Sequence, residues 1–137
     1  MKYLSDYTKE ATTSALSKSG AFYAFSNKQF DEQKVDGVEY ANMRGGLICP
    51  KENAKELMET LIDVLANGTT LDLAENGKRG VIHRELGNHE YSYTHDISDT
   101  VSALSGYGIT AEEVQSEARS YLDAFETWEA EIEAKIA

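Results

Sequence analysis

All three histidines of the chain lie in the segment HRELGNHEYSYTHD, residues 83 to 96, among several acidic side chains. Imidazoles and carboxylates that converge on one point can bind a metal ion such as zinc. On a helix, His83 and His89 are six residues apart and point to different faces. His83 and Glu90 share a face, but two ligands are too few for a tetrahedral site. The spacing predicts no metal and no other cofactor, with a metal hydrolase left as an open alternative.

A second arrangement in the same segment is an arginine followed by a histidine at the R-x4-H spacing, Arg84 and His89. This spacing resembles the signature of HEPN ribonucleases, helical domains in which the two residues act on an RNA phosphodiester, usually across a dimer. Glu85 follows the arginine here, where that family usually has Asn, Asp or His. The resemblance implies an alternative function, an RNA-cleaving or nucleotide-sequestering protein centred on residues 79 to 96. The residues of this alternative site are Arg79, His83, Arg84 and His89.

The charge of the chain argues against a nucleic-acid ligand. The formal net charge is −11, and from residue 69 onward fourteen acidic residues stand against five basic ones. Such a field repels nucleic acid and anionic membranes and attracts basic surfaces. We therefore expect no direct binding of nucleic acid or membrane. The expected partner is a basic protein, such as a nucleic-acid-binding defence effector, and a homodimer stays open.

Nucleophilic catalysis has little support in the sequence. Cys49 is the only cysteine, so no intrachain disulfide can form, and it stands directly before Pro50. A buried structural thiol is expected there more than a reactive one. The chain has no P-loop, GxGxxG or GxSxG motif. From these absences we expect that the protein is not an enzyme. With no signal peptide and no apolar run of the roughly 20 residues that cross a bilayer, we also expect a cytoplasmic protein.

The element that carries most of the late acidic residues is a predicted helix from about Ala111 to Lys135. Thr110 and Glu113 have the spacing of a capping box, which satisfies backbone donors at a helix start. Apolar residues then recur at intervals of three and four. They are Val114, Ala118, Tyr121, Leu122, Phe125, Trp128 and Ile132. This stripe predicts a helix that packs on the core, with Trp128 buried.

The same helical geometry places acidic side chains on two sides of the apolar stripe, in solvent. The first acidic flank consists of Glu112, Asp123, Glu126 and Glu133. The second acidic flank consists of Glu113, Glu117 and Glu131. Like charges this close along a helix reduce its stability. We therefore predict that the two flanks form the binding surface for the basic partner.

The remaining segments predict a mostly α fold, with α+β as the alternative. A helix is predicted from Pro50 to Gly68, a short one starts at Ser26, and weaker ones cover 5–17, 69–76, 80–93 and 97–105. A hairpin of 38–43 and 47–49 and a strand at 21–25 would form a two- or three-stranded sheet in the N-terminal half. Without linkers or repeats, residues 1–137 are predicted to form a single small helical domain.

Three blocks of the sequence resemble a family of small uncharacterised proteins from tailed-phage genomes. They are GAFYAFSNKQFDE at 20–32, LICPKENAKEL at 47–57 and RELGNHE at 84–90. The resemblance implies a phage setting, in which small acidic proteins often antagonise host defence, as anti-CRISPR inhibitors do. It carries no catalytic residue with it. The expectation from this setting is an inhibitor of a host defence protein, acting in the host cytoplasm.

Overall fold

The computed structural model describes residues 1–136, and helices dominate it. Within that range the α-helices are α1 (Leu4–Ser19), α2 (Asn27–Gln33), α3 (Ala54–Asn88), α4 (Tyr91–Thr94), α5 (Ser98–Ala103) and α6 (Ala111–Ile136). The strands are β1 (Phe22–Tyr23), β2 (Tyr40–Asn42) and β3 (Leu47–Pro50), and 3-10 turns lie at Lys51–Asn53 and Ser105–Tyr107. The prediction of a mostly helical fold with a minor sheet in the N-terminal half is confirmed.

The chain divides into two compact units. Unit 2 is Leu4–Gly68, and unit 1 is Met1–Tyr3 together with the chain from Thr69 onward. Helix α3 contributes residues to both. The prediction of a single domain stays a prediction. Across residues 1–136, no helix combines the length and the apolar character that a membrane crossing requires.

Unit 2 is organised around β3, the central strand of an antiparallel sheet with the order β1-β3-β2. The register pairs Phe22 with Ile48 and Ala41 with Cys49. Leu47, Ile48 and Cys49 of β3 are all buried, and Leu47 and Cys49 pack with Ala15 and Leu57 in the core of unit 2. The predicted hairpin and the predicted strand before it are confirmed. Strands β1 and β2 are shorter than predicted, and β3 extends one residue further, to Pro50.

The predicted helix from Pro50 to Gly68 is wrong at both ends. Pro50 is the last residue of β3, and α3 begins at Ala54 after a 3-10 turn. The helix also continues through Gly68, where a Cβ would lie 2.4 Å from Cγ2 of Thr8. Glycine is therefore needed there because α1 approaches closely, and it does not end the helix. The break comes later, at Gly77, whose φ of 74° and ψ of 158° are not helical.

The core of unit 1 is formed by the end of α3, the start of α6 and the segments between them. Its buried members are Val81, Ile82, Leu86, Tyr91, Leu104, Ile109, Val114 and Ala118. The capping box at the start of α6 is confirmed, since Thr110 Oγ1 accepts from the backbone N–H of Glu113 at 3.2 Å. The prediction that Trp128 is buried is wrong, because its side chain is 55% exposed. Helix α6 extends beyond the core, so its apolar stripe continues past the residues that could cover it.

Candidate functional site

Arg84 of the alternative site is buried in unit 1, with only 4% of its side chain exposed. Its Nη1 and Nη2 donate to the two carboxylate oxygens of Asp72 at 2.8 and 3.0 Å. Further hydrogen bonds go to Glu85 Oε1 from Nε at 3.3 Å and Nη2 at 3.2 Å, and to the Lys2 carbonyl from Nη1 at 3.0 Å. A guanidinium has five N–H donors, and these contacts occupy all of them. Arg84 therefore has no donor left for an RNA phosphate.

Asp72 receives further hydrogen bonds from the Tyr107 hydroxyl and from Asn76 Nδ2, the latter at 2.8 Å. Burial alone would raise the pKa of Asp72, but the hydrogen bonds from Arg84, Tyr107 and Asn76 outweigh it and hold this pKa below its usual value. Burial and the hydrogen bond to Asp72 raise the pKa of Tyr107 to about 12. The Arg84 network consists of Arg84, Asp72, Glu85, Tyr107 and Asn76. It joins the two parts of α3 on either side of Gly77. Its chemistry is that of a structural ion pair.

His89 lies close to Glu85, which belongs to the same network. Its Nε2 lies 3.6 Å from Glu85 Oε2, beyond hydrogen-bond distance, and has no hydrogen-bond partner within residues 1–136. Glu85 thus lies against both Arg84 and His89. The Glu85 carboxylate therefore lies next to Arg84 and His89, where a ribonuclease would need to bind an RNA phosphate.

Arg79 and His83 contact a different carboxylate, on α6. Arg79 Nε lies 3.2 Å and His83 Nε2 2.9 Å from Glu117 Oε2. The alternative site is therefore split, with two residues at Glu117 and two at Glu85. Of the side chains described between residues 1 and 136, no three His, Cys, Asp or Glu residues are grouped so that they could hold a metal ion.

The second acidic flank is partly neutralised within unit 1. Lys78 pairs with Glu113, while Arg79 and His83 pair with Glu117. The hydrogen bond from Lys78 holds the pKa of Glu113 below its usual value. Only Glu131 of this flank is exposed. Two of the three carboxylates of this flank, which were predicted to lie in solvent, are thus half-buried and paired with cations.

The first acidic flank is intact. Glu112, Asp123, Glu126 and Glu133 are all exposed, and none of them forms an ion pair with another residue of the described chain. Only Arg119 and Lys135 are basic in α6. Arg119 lies on the same side, four residues before Asp123, so this side of the helix carries four carboxylates and one cation and is net negative.

A set of aromatic rings was not predicted from the sequence: the aromatic patch of Tyr93, Phe125 and Trp128, in which Tyr93 and Trp128 are exposed. The Tyr93 and Phe125 ring centroids are 6.1 Å apart, and those of Phe125 and Trp128 are 5.6 Å apart. Phe125 and Trp128 belong to the apolar stripe of α6, and periodicity alone predicted that they lie in the core. Glu129, four residues after Phe125 and on the same side of the helix, is the charge that could have indicated an exposed surface.

A family model matches most of the chain, and its description assigns no activity. A family model described as a family of unknown function, DUF7659, matches residues 4–128, which include the sheet, the Arg84 network and α6 up to Trp128. No curated protein and no solved structure matches the chain. The match covers most of the sequence, and the chain therefore belongs to the family of unknown function DUF7659.

Proposed function

We propose that this protein is a binding module that attaches to a basic surface of another protein through the first acidic flank of α6. The observation that carries the proposal is the contrast between the two flanks. The Glu113 and Glu117 carboxylates already have cation partners in unit 1, whereas the four carboxylates of the first flank have none within residues 1–136. Carboxylates without internal partners are available to an external one.

The arrangement has a cost that a purely structural helix would avoid. Asp123 and Glu126 are three residues apart, and Glu129 and Glu133 are four apart, so like charges are neighbours on the helix surface. From Glu112 to Glu133 the flank extends over about 30 Å at roughly 1.5 Å per residue. A field of this length accelerates encounter with a basic protein, and its effect falls as salt rises.

The partner that fits this charge best is a protein with a basic groove that ordinarily holds nucleic acid. A helix with carboxylates along one side would occupy such a groove and exclude its nucleic acid, which makes the protein an inhibitor. The phage-like sequence blocks favour a host defence effector as the target and the host cytoplasm as the place of action. The support for this part of the proposal is the charge of α6 and those sequence blocks.

Affinity capture with charge-neutral variants tests the proposal. In the first variant, Glu112, Glu126 and Glu133 are replaced by Gln and Asp123 by Asn. The matched control carries the same kind of change at exposed acids in and just before α3, namely Glu52, Glu56, Glu59 and Asp63. We expect the wild type and the control to retain the same basic protein at low salt, and the α6 variant to lose it.

The salt dependence of that capture is part of the test. Retention by the wild type should fall between low and moderate salt, because the flank is exposed and screened. A circular dichroism spectrum checks that the α6 variant is folded. If the folded α6 variant retains the partner as well as the wild type does, the acidic flank is not the binding surface and the proposal is wrong.

A further inference from the structure

We infer that the aromatic patch, with Glu129 next to it on α6, receives an arginine side chain of the basic partner. The inference rests on the proposed function, since it names the chemical group that the same helix recognises. It commits to the guanidinium of arginine and excludes a second copy of this chain, a nucleic acid and an uncharged apolar surface.

The patch is anchored in the core at one end and open at the other. Phe125 is half-buried and stacks on Tyr121, with ring centroids 6.4 Å apart. Tyr121 in turn packs against the core of unit 1. Tyr93 is 79% exposed and Trp128 is 55% exposed, so both rings offer surface to a ligand. Phe125 is thus held by contact with the core of unit 1, and Tyr93 and Trp128 are exposed to solvent.

Tyr93 is presented by an unusual segment. Helix α4 has only four residues and lies between Glu90 and His95, which are both in the left-handed region with φ of 56° and 53°. Residues other than glycine adopt this conformation only when the surrounding structure imposes it. Buried Tyr91, stacked on His95 at a centroid distance of 5.8 Å, fixes the segment. The fold thus holds a tyrosine in solvent on a constrained turn, which lowers the entropy lost on binding.

Glu129 supplies the charge that makes the patch selective. It follows Trp128 directly and lies on the Phe125 side of α6, while Glu126 lies on the adjoining flank. A guanidinium stacks on an aromatic face and also pairs with a carboxylate, which an ammonium does less well. An uncharged ligand would cover Glu129 without compensating its charge. A second copy would bring two strongly acidic surfaces together, and a nucleic acid would be repelled.

The single tryptophan makes the inference directly measurable, because Trp128 is the only one in the chain. The probe is a short helical peptide with arginine at every fourth position, compared with the same peptide carrying citrulline, which keeps the shape and removes the charge. We expect the arginine peptide to change Trp128 emission saturably at low salt and the citrulline peptide to leave it unchanged. A lysine peptide should bind more weakly than the arginine peptide.

Single replacements identify the patch. Tyr93→Leu should weaken binding of the arginine peptide about fivefold, as expected for the loss of one exposed cation–π contact. The matched control is Phe25→Leu, since Phe25 is a comparably exposed aromatic residue of unit 2, and it should bind as the wild type does. Equal binding by wild type and Tyr93→Leu, or an equal response to citrulline, would overturn the inference.

The two proposals can fail separately. If a basic partner is lost from the neutral α6 variant but is captured normally by folded Tyr93→Leu and Trp128→Leu variants, the arginine site is wrong and the acidic binding surface stands. If the neutral α6 variant captures the partner normally, the proposed function fails, and with it this inference.

Discussion

Replacing Arg84 by Met tests whether the Arg84 network holds unit 1 together. Methionine keeps much of the apolar length of the side chain but removes the guanidinium, so the Asp72 carboxylate, which is 0% exposed, stays buried without its cation. Removing one partner of a buried ion pair costs about 3–5 kcal/mol. Domains are stable by roughly 5–15 kcal/mol in total, so Arg84→Met should remove a large part of the stability.

The double variant separates the ion pair from simple loss of packing. In Asp72→Asn with Arg84→Met the Asp72 charge is removed together with its cation, so the double variant should be less destabilised than the sum of the two single ones. Glu85, which also pairs with Arg84, loses this cation in both Arg84→Met variants, so its contribution is the same in each. Urea unfolding followed by circular dichroism gives the three free energies. Hydrogen exchange over residues 69–136 shows whether the loss lies in unit 1. A cost below about 1 kcal/mol for Arg84→Met, or strict additivity, would refute the reasoning.

The same network predicts a response to acid. The pKa of Asp72 in the folded protein is held below its usual value, so its contribution to stability is complete above about pH 4 and is lost as pH falls through the folded pKa. Without Arg84, burial acts against fewer hydrogen bonds and the folded pKa rises. Acid unfolding of Arg84→Met should therefore begin at higher pH than that of the wild type, and an unchanged profile would contradict the assignment.

Three further predictions concern single positions. Gly77→Ala should lower the free energy of unfolding by about 1–3 kcal/mol. The cause is backbone strain alone, because a Cβ at Gly77 meets nothing within 4 Å. Thermal melts should show no such loss for Gly106→Ala, since Gly106 is equally open and has no positive φ. The pKa of Tyr107 is raised to about 12, so its contribution to stability should be complete below about pH 10 and be lost as pH rises through 12, a step absent from Tyr107→Phe in alkaline unfolding curves. Burial raises the pKa of the Cys49 thiol above its usual value, so a disulfide reagent should modify it only on unfolding, and fast labelling of folded protein would contradict this.

The sequence predicted those parts of the fold that depend on neighbours along the chain. The capping box of Thr110 and Glu113 and the hairpin that contains β2 and β3 are local, and both are present. Gly68 was misread because its role depends on α1, far away in the sequence. Trp128 was misread because periodicity shows which side of a helix is apolar, but not how far the core extends beneath it.

The candidate site was predictable to a similar extent. Helical geometry predicted that the seven acidic residues of the two flanks lie on two sides of one helix, and all seven belong to α6. It could not show that Lys78 and Arg79, more than thirty residues earlier, neutralise Glu113 and Glu117. The pairing of Arg84 with Asp72 was equally hidden, because it crosses the break at Gly77. Long-range ion pairs follow from the tertiary fold, which no short motif encodes.

Photocrosslinking from α6 in living cells is the most direct measurement of the central claim. Ala130 is exposed and lies between Glu126 and Glu133 on the helix surface, and Ala11 is an exposed control on α1. A photoreactive amino acid at position 130 should form an adduct with a basic protein, weaker when Glu126 and Glu133 are replaced by Gln, and position 11 should form none. Equal crosslinking from both positions, or an adduct that is indifferent to those two charges, would contradict the account.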